Sequence, residues 1–214
     1  MPMPAQRVLT SLGRVAGMVV VACTNGVGHA TTQASTQQGA WDVGAVVIHA
    51  YTEDVGGIRA VGANVRLRVG RDLALAGEPV LLVEYPAATN DPAARDVYVE
   101  AEHQDWSAAR AIGFRVKPVH GIRLSVSFVD RNQVVYTAWT QLRGGVWQSV
   151  RIPFQDIHPN PYFQPPGARV GAPLDVGLVG RIGFAPHDTA SGQLAISQFV
   201  LLPQTNAPGR RVDR

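Results

Sequence analysis

Between residues 111 and 202, apolar and polar positions alternate with a period of two. Ile112, Phe114 and Val116 share one parity, with Gly113, Arg115 and Lys117 on the other. Ile122, Leu124, Val126 and Phe128 repeat the arrangement opposite Arg123, Ser125 and Ser127. Segments 145–154, 181–184 and 192–202 carry it on. This period marks strands with one buried and one solvated face. Upstream, Val65, Leu67 and Val69 alternate with Asn64, Arg66 and Arg68, and Val97, Val99 and Ala101 with Tyr98, Glu100 and Glu102. The mostly apolar run 80–85 reads as a more deeply buried strand. No helical period intervenes. The chain therefore predicts an all-β fold, an antiparallel β-sandwich forming a single domain over residues 40–203. Asn90-Asp91-Pro92 predicts a turn. The proline-rich stretch 156–173 is the longest irregular segment within the domain, and such loops often carry function.

The ends of the chain follow a different grammar. Arg7 and Arg14 precede a short apolar run, 15–22, that closes at Cys23. A charged start and an apolar core too short to span a bilayer read as an export signal over residues 1–22. The expected locations are the cell envelope, the periplasm or the medium. Val20-Val21-Ala22-Cys23 resembles a bacterial lipobox, which would make Cys23 the lipidated first residue of an envelope lipoprotein. Gly28-His29-Ala30 offers an alternative cleavage site for a general signal peptidase. Cys23 is the only cysteine, so no intramolecular disulfide can form. Residues 23–39, rich in Thr, Gln, Ala, Gly and Ser, have the composition of a flexible linker, and 204–214 form a polar tail.

The 214 residues are 46% hydrophobic and carry a formal charge of +3. Lys117 is the only lysine, and the arginines are scattered rather than clustered. That spread argues against a nucleic-acid partner. Catalytic motifs are missing: there is no Gly-x-Ser-x-Gly elbow and no His-Glu-x-x-His. Glu100, Glu102, His103 and Asp105 read as a charged strand end. A hydrolase using Glu100 or Glu102 is the minor alternative to a chain without enzymatic activity.

Parity supplies the candidate site. If the apolar parity faces the core, the other parity turns Arg115, Lys117, Arg123, Ser125, Ser127, Ser149 and Arg151 outward. A one-residue slip would bury several cations. If these strands are neighbours, they make one polar, basic sheet face. Arginine offers paired planar donors to carboxylates or vicinal oxygens, as in an acidic glycan. Arg115, Arg123, Ser125 and Arg151 are the expected ligand residues, with Tyr98 and Tyr136 as aromatic platforms. Trp139, Tyr162 and Phe163 are further aromatic candidates. Tyr136 and Trp139 have opposite parity, so they cannot both face a ligand from one regular strand.

Four stretches together resemble a known group. They are Ala111-Ile112-Gly113-Phe114-Arg115-Val116-Lys117, residues 147–156, residues 174–184 and residues 192–202. In order and spacing these resemble the galactose-binding-like jelly rolls, above all the family 11 carbohydrate-binding modules and the related CIA30 domains. The resemblance covers about half the chain. It implies a jelly-roll sandwich, structural roles for Trp106 and Trp147, and a polysaccharide or oligosaccharide on the concave face. Through CIA30 it alternatively implies a protein-interaction or assembly domain in the envelope. No organic cofactor is implied. Relatives carry an aspartate for a structural calcium in the closing strand, where this chain has Ser197-Gln198. Asp42, Glu53 and Asp54 remain as oxygen donors near the first strand.

Overall fold

A computed structural model describes residues 41–203, apart from 42, 43, 50, 52–56, 63, 76 and 92. The expected signal segment, Cys23, the linker, the tail, Asp42, Glu53 and Asp54 all fall outside the described residues. So does the side chain of Glu102.

Among the described residues thirteen strands follow one another: β1 (Val46–His49), β2 (Ile58–Ala60), β3 (Arg66–Asp72), β4 (Glu78–Tyr85), β5 (Val97–Gln104), β6 (Ala109–Pro118), β7 (Ile122–Asp130), β8 (Val135–Leu142), β9 (Gln148–Pro153), β10 (His158–Pro159), β11 (Val179–His187), β12 (Gly192–Ile196) and β13 (Phe199–Pro203). Two antiparallel sheets form the expected sandwich. One is ordered β1-β13-β6-β12-β4-β3, with β9 also paired to β6; the other is ordered β10-β8-β7-β11-β5-β2. The apolar parity faces inward as expected: Ile112, Phe114, Ile122, Leu124, Val126, Val150 and Ile152 are all buried. Trp106 is fully buried, stacked on Phe154 at 6.1 Å with the edge of Phe128 at 6.2 Å. Phe184 of one sheet meets Phe199 of the other at 6.4 Å between ring centres. Trp147 is only half-buried. It ties the start of β9 to the end of β3 through a 3.1 Å hydrogen bond from its indole Nε1 to Asp72 Oδ2.

Residues adjacent in sequence do not stay in one layer. β6 and β7 are joined by only Val119, His120 and Gly121, yet β6 runs in the seven-stranded sheet and β7 in the six-stranded one. The outward parities of these two strands therefore point to opposite sides of the sandwich. The single basic face expected from parity does not exist.

β12 and β13 follow each other along the same side of β6, leaving a gap at Ser197 and Gln198. Ser197 closes it. Its backbone N–H donates to the Arg115 carbonyl at 2.9 Å, and its hydroxyl accepts the Arg115 N–H at 2.9 Å. The hydroxyl is buried and committed to the backbone, so this position supplies no carboxylate for a calcium ion.

Candidate functional site

The outer surface of the six-stranded sheet carries the candidate site, and strand register builds it. One row crosses all six strands: His158, Thr137, Ser127, Gly183, Tyr98 and Arg59. Five strand spacings make this row about 24 Å long. Its middle is floored by small residues, Thr137, Ser127 and Gly183, with Ser125 and Ala185 in the next row. Gly183 makes the close packing here possible. A Cβ at that position would lie 2.3 Å from Ser127 Oγ and 2.7 Å from Tyr98 Cε1.

Larger side chains stand on either flank. On one, Arg123 lies opposite both Gln141 and His187, and Trp139 lies opposite Ser125. The Arg123 guanidinium sits 4.1 Å over the Trp139 ring, and the His187 ring meets Trp139 edge-on at 4.6 Å. Ser125 Oγ is 2.9 Å from His187 Nε2. Desolvation, followed by the charges of Arg123 and Arg95, holds the His187 pKa below the usual histidine value. A depressed value keeps its imidazole mainly neutral at pH 7, and the tautomer decides whether it accepts from the serine hydroxyl or donates to it.

On the other flank Arg181 lies 5.0 Å over the Tyr98 ring and 3.7 Å from Glu100 Oε1. Tyr98 donates its hydroxyl to Asp96 Oδ2 at 3.1 Å. Burial, with Asp96 adding to it, pushes the Tyr98 phenol up to about 12, so it stays a hydrogen-bond donor throughout the physiological range. The site is an open row between two arginine-capped aromatic rings.

A buried polar network anchors one end. Arg95 Nη1 donates to Asp188 Oδ1 at 2.6 Å and to the Asp188 carbonyl at 2.9 Å, while Nη2 reaches the Ala190 carbonyl at 3.1 Å. The second oxygen of Asp188 meets His120 Nε2 at 2.5 Å and Tyr85 Oη at 3.4 Å. This fixes Asp188, the chain neighbour of His187, against three separate segments, those of Tyr85, Arg95 and His120.

Of the residues expected from sequence, Tyr98, Arg123 and Ser125 share this face. Arg115 and Arg151 do not, because β6 and β9 belong to the opposite sheet. Arg115 lies over the Trp41 ring at 5.8 Å and 4.0 Å from Glu78 Oε2. Tyr136 is also a correction. Its ring is in the core at 1% exposure, and its hydroxyl donates to the Ala172 and Pro173 carbonyls at 3.1 and 3.2 Å. Trp139 is the ring that β8 turns outward. Glu100 is tied to Arg181 rather than poised opposite a second carboxylate. Among the described residues, no group of three or more His, Cys, Asp and Glu side chains is placed to hold a metal ion.

Arg181, Gly183 and His187 were not singled out from sequence as ligand residues. The available signal was parity: all three alternate with the core residues Ile182, Phe184 and Pro186 of β11.

No family model matches the chain, and no curated protein matches it. Solved structures do. A family 11 carbohydrate-binding module from Clostridium thermocellum, in complex with a beta-1,3-1,4-mixed-linked tetrasaccharide, superposes with a TM-score of 0.59 at 19% identity, over 74% of this chain and 95% of its own. The fold is that of the family 11 carbohydrate-binding modules. A solution structure of one such module, CtCBM11, gives a TM-score of 0.61 at 20% identity, over 76% of this chain and 96% of its own. A family 30 carbohydrate-binding module gives 0.54 at 12% identity, over 80% and 94% of the two chains. An exo-beta-agarase matches at 0.51 and 15% identity, over 71% of this chain but 24% of its own. At these identities the likeness is one of fold.

Proposed function

We propose that this chain is a non-catalytic carbohydrate-binding module whose glycan lies along the cross-strand row of the six-stranded sheet. The observation that carries the reading is the row itself, about 24 Å long, with small residues at its middle and the Arg123–Trp139 and Arg181–Tyr98 pairs beside them. Hydroxyls and guanidinium donors suit sugar oxygens, and Gly183 lets the Tyr98 ring and the Ser127 hydroxyl pack close over the sheet. The fold supports it, since the family 11 module above is described in complex with a tetrasaccharide. Affinity electrophoresis and calorimetry of the full chain against a panel of neutral and charged polysaccharides test it. Tyr98→Ala and Gly183→Val are each expected to weaken binding tenfold or more, on the order of one lost polar contact or one steric block. Folded protein that binds nothing in the panel refutes it.

Export belongs to the same proposal, with Cys23 as the anchor. Palmitate labelling that disappears in Cys23→Ala supports the anchor, whereas a mature N-terminus at Thr31 supports the alternative cleavage. The assembly reading rests on Tyr162 and Phe163, which are 85% and 62% exposed while Asn160 and Gln164 hold their loop. The comparisons lend it no support. A blank glycan panel together with envelope-protein capture that is lost in Tyr162→Ser/Phe163→Ser would establish it.

A further inference from the structure

Two kinds of arginine stand on the candidate face. Arg181 is neutralised by Glu100, and the deeper Arg95 by Asp188. Arg123 is exposed, and among the described residues no carboxylate lies within ion-pair distance of it. Its guanidinium stacks on Trp139. Stacking uses the face of the guanidinium and leaves its in-plane N–H donors unspent. It also changes what Trp139 offers. With Arg123 over the ring and His187 against it, the indole is not an open platform for the apolar face of a neutral sugar. What this flank presents outward is a positioned guanidinium edge. Arg59, at the far end of the row, is a second exposed cation. Glu100 is already compensated, and the remaining described carboxylate beside the row, Asp96, is half-buried and accepts the Tyr98 hydroxyl. Against it stand Arg59 and Arg123, so the described charge exposed along the row is positive at its Arg123 flank, which favours an anionic partner there.

We infer that the glycan bound in this row carries anionic substituents, uronate carboxylates or sulfate esters, and that Arg123 reads them through charge-assisted hydrogen bonds. The inference rests on the carbohydrate-binding proposal and adds the class of sugar. Trp139 acts as a positioning residue: it removes much of the rotational freedom an exposed arginine would otherwise lose on binding.

Calorimetry of the full chain with a polyuronate, its carboxyl-reduced form, a sulfated galactan, its desulfated form and a neutral mixed-linkage glucan tests this. The expected result is binding to one of the charged polymers and not to its neutral counterpart. The polymer that binds identifies the source of the anion. Arg123→Ala should weaken it by about tenfold or more, with Arg123→Lys in between because charge survives and the planar fork does not. Raising salt should weaken it several-fold. Arg123→Gln serves as a second variant should the alanine disturb folding. Equal binding of neutral and charged polymers, or charged-polymer binding within about twofold of wild type in Arg123→Ala and Arg123→Gln, overturns the inference and leaves the carbohydrate-binding proposal standing. Binding to nothing by folded protein overturns both.

Discussion

Replacing Arg95 by methionine tests the buried network behind His187. Methionine keeps most of the volume and removes every donor. Arg95 is 6% exposed, and its side chain and that of Asp188 are 7% and 13% exposed, so the pair is shielded from water on both sides. Breaking such a pair from one side costs about 3–5 kcal/mol, because the remaining charge is left buried. Asp188 keeps His120 and Tyr85 as partners, which places the expected loss near the lower end, about 3 kcal/mol. A domain of this kind has roughly 5–15 kcal/mol in total, so the variant folds with a markedly lowered margin. With an m-value of about 2 kcal/mol/M, the urea midpoint falls by roughly 1.5 M. Adding Asp188→Asn removes the stranded charge and should recover about 1 kcal/mol or more. A loss below about 1 kcal/mol in Arg95→Met would match a solvent-exposed ion pair and refute the account of a closed network.

Three further outcomes follow. His187 should titrate below the ordinary value of about 6.5 in an NMR pH series. Because its folded-state pKa is depressed, its contribution to stability is complete above about 6.5 and is lost as pH falls through the folded value, so His187→Gln should flatten the acid limb of stability below about 6.5. A titration midpoint above that value contradicts the desolvation and arginine fields described here. Tyr136→Phe removes only the hydroxyl bonded to Ala172 and Pro173; it should cost about 1–2 kcal/mol in urea unfolding and leave ligand affinity unchanged. Tyr162→Ser with Phe163→Ser should leave thermal unfolding within about 0.5 kcal/mol of wild type, since both rings face solvent.

The strands and their inward faces were legible because period-two alternation is a local signal. Ile122, Leu124, Val126 and Phe128 could face only inward once Arg123 was given to solvent. Which sheet a strand joins is not local. Arg115 and Arg123 have the same outward parity and are eight residues apart, but a three-residue crossover puts them on opposite sides. Tyr136 shows a second limit. A tyrosine suits core and surface alike, and the choice was decided by two carbonyls in the irregular segment before β11, whose position no strand pattern encodes. The cross-strand row depends on five registers at once. Gly183 looks like a weak point in its own strand and acquires meaning only between Ser127 and Tyr98. The Arg95–Asp188–His120–Tyr85 network is equally non-local, since its members come from segments far apart in the chain.

The direction of that row has a consequence for dynamics. Its ends lie on β2 and β10, strands of three and two residues at the two edges of the sheet. Short edge strands open most readily, whereas the central pair β7 and β11 opens only with the whole domain. A ligand spanning the row bridges both edges across the rigid centre. Its footprint in hydrogen–deuterium exchange is therefore expected at the amides around Arg59 and His158, far from the middle of the bound chain, with little change at Ser127 or Gly183.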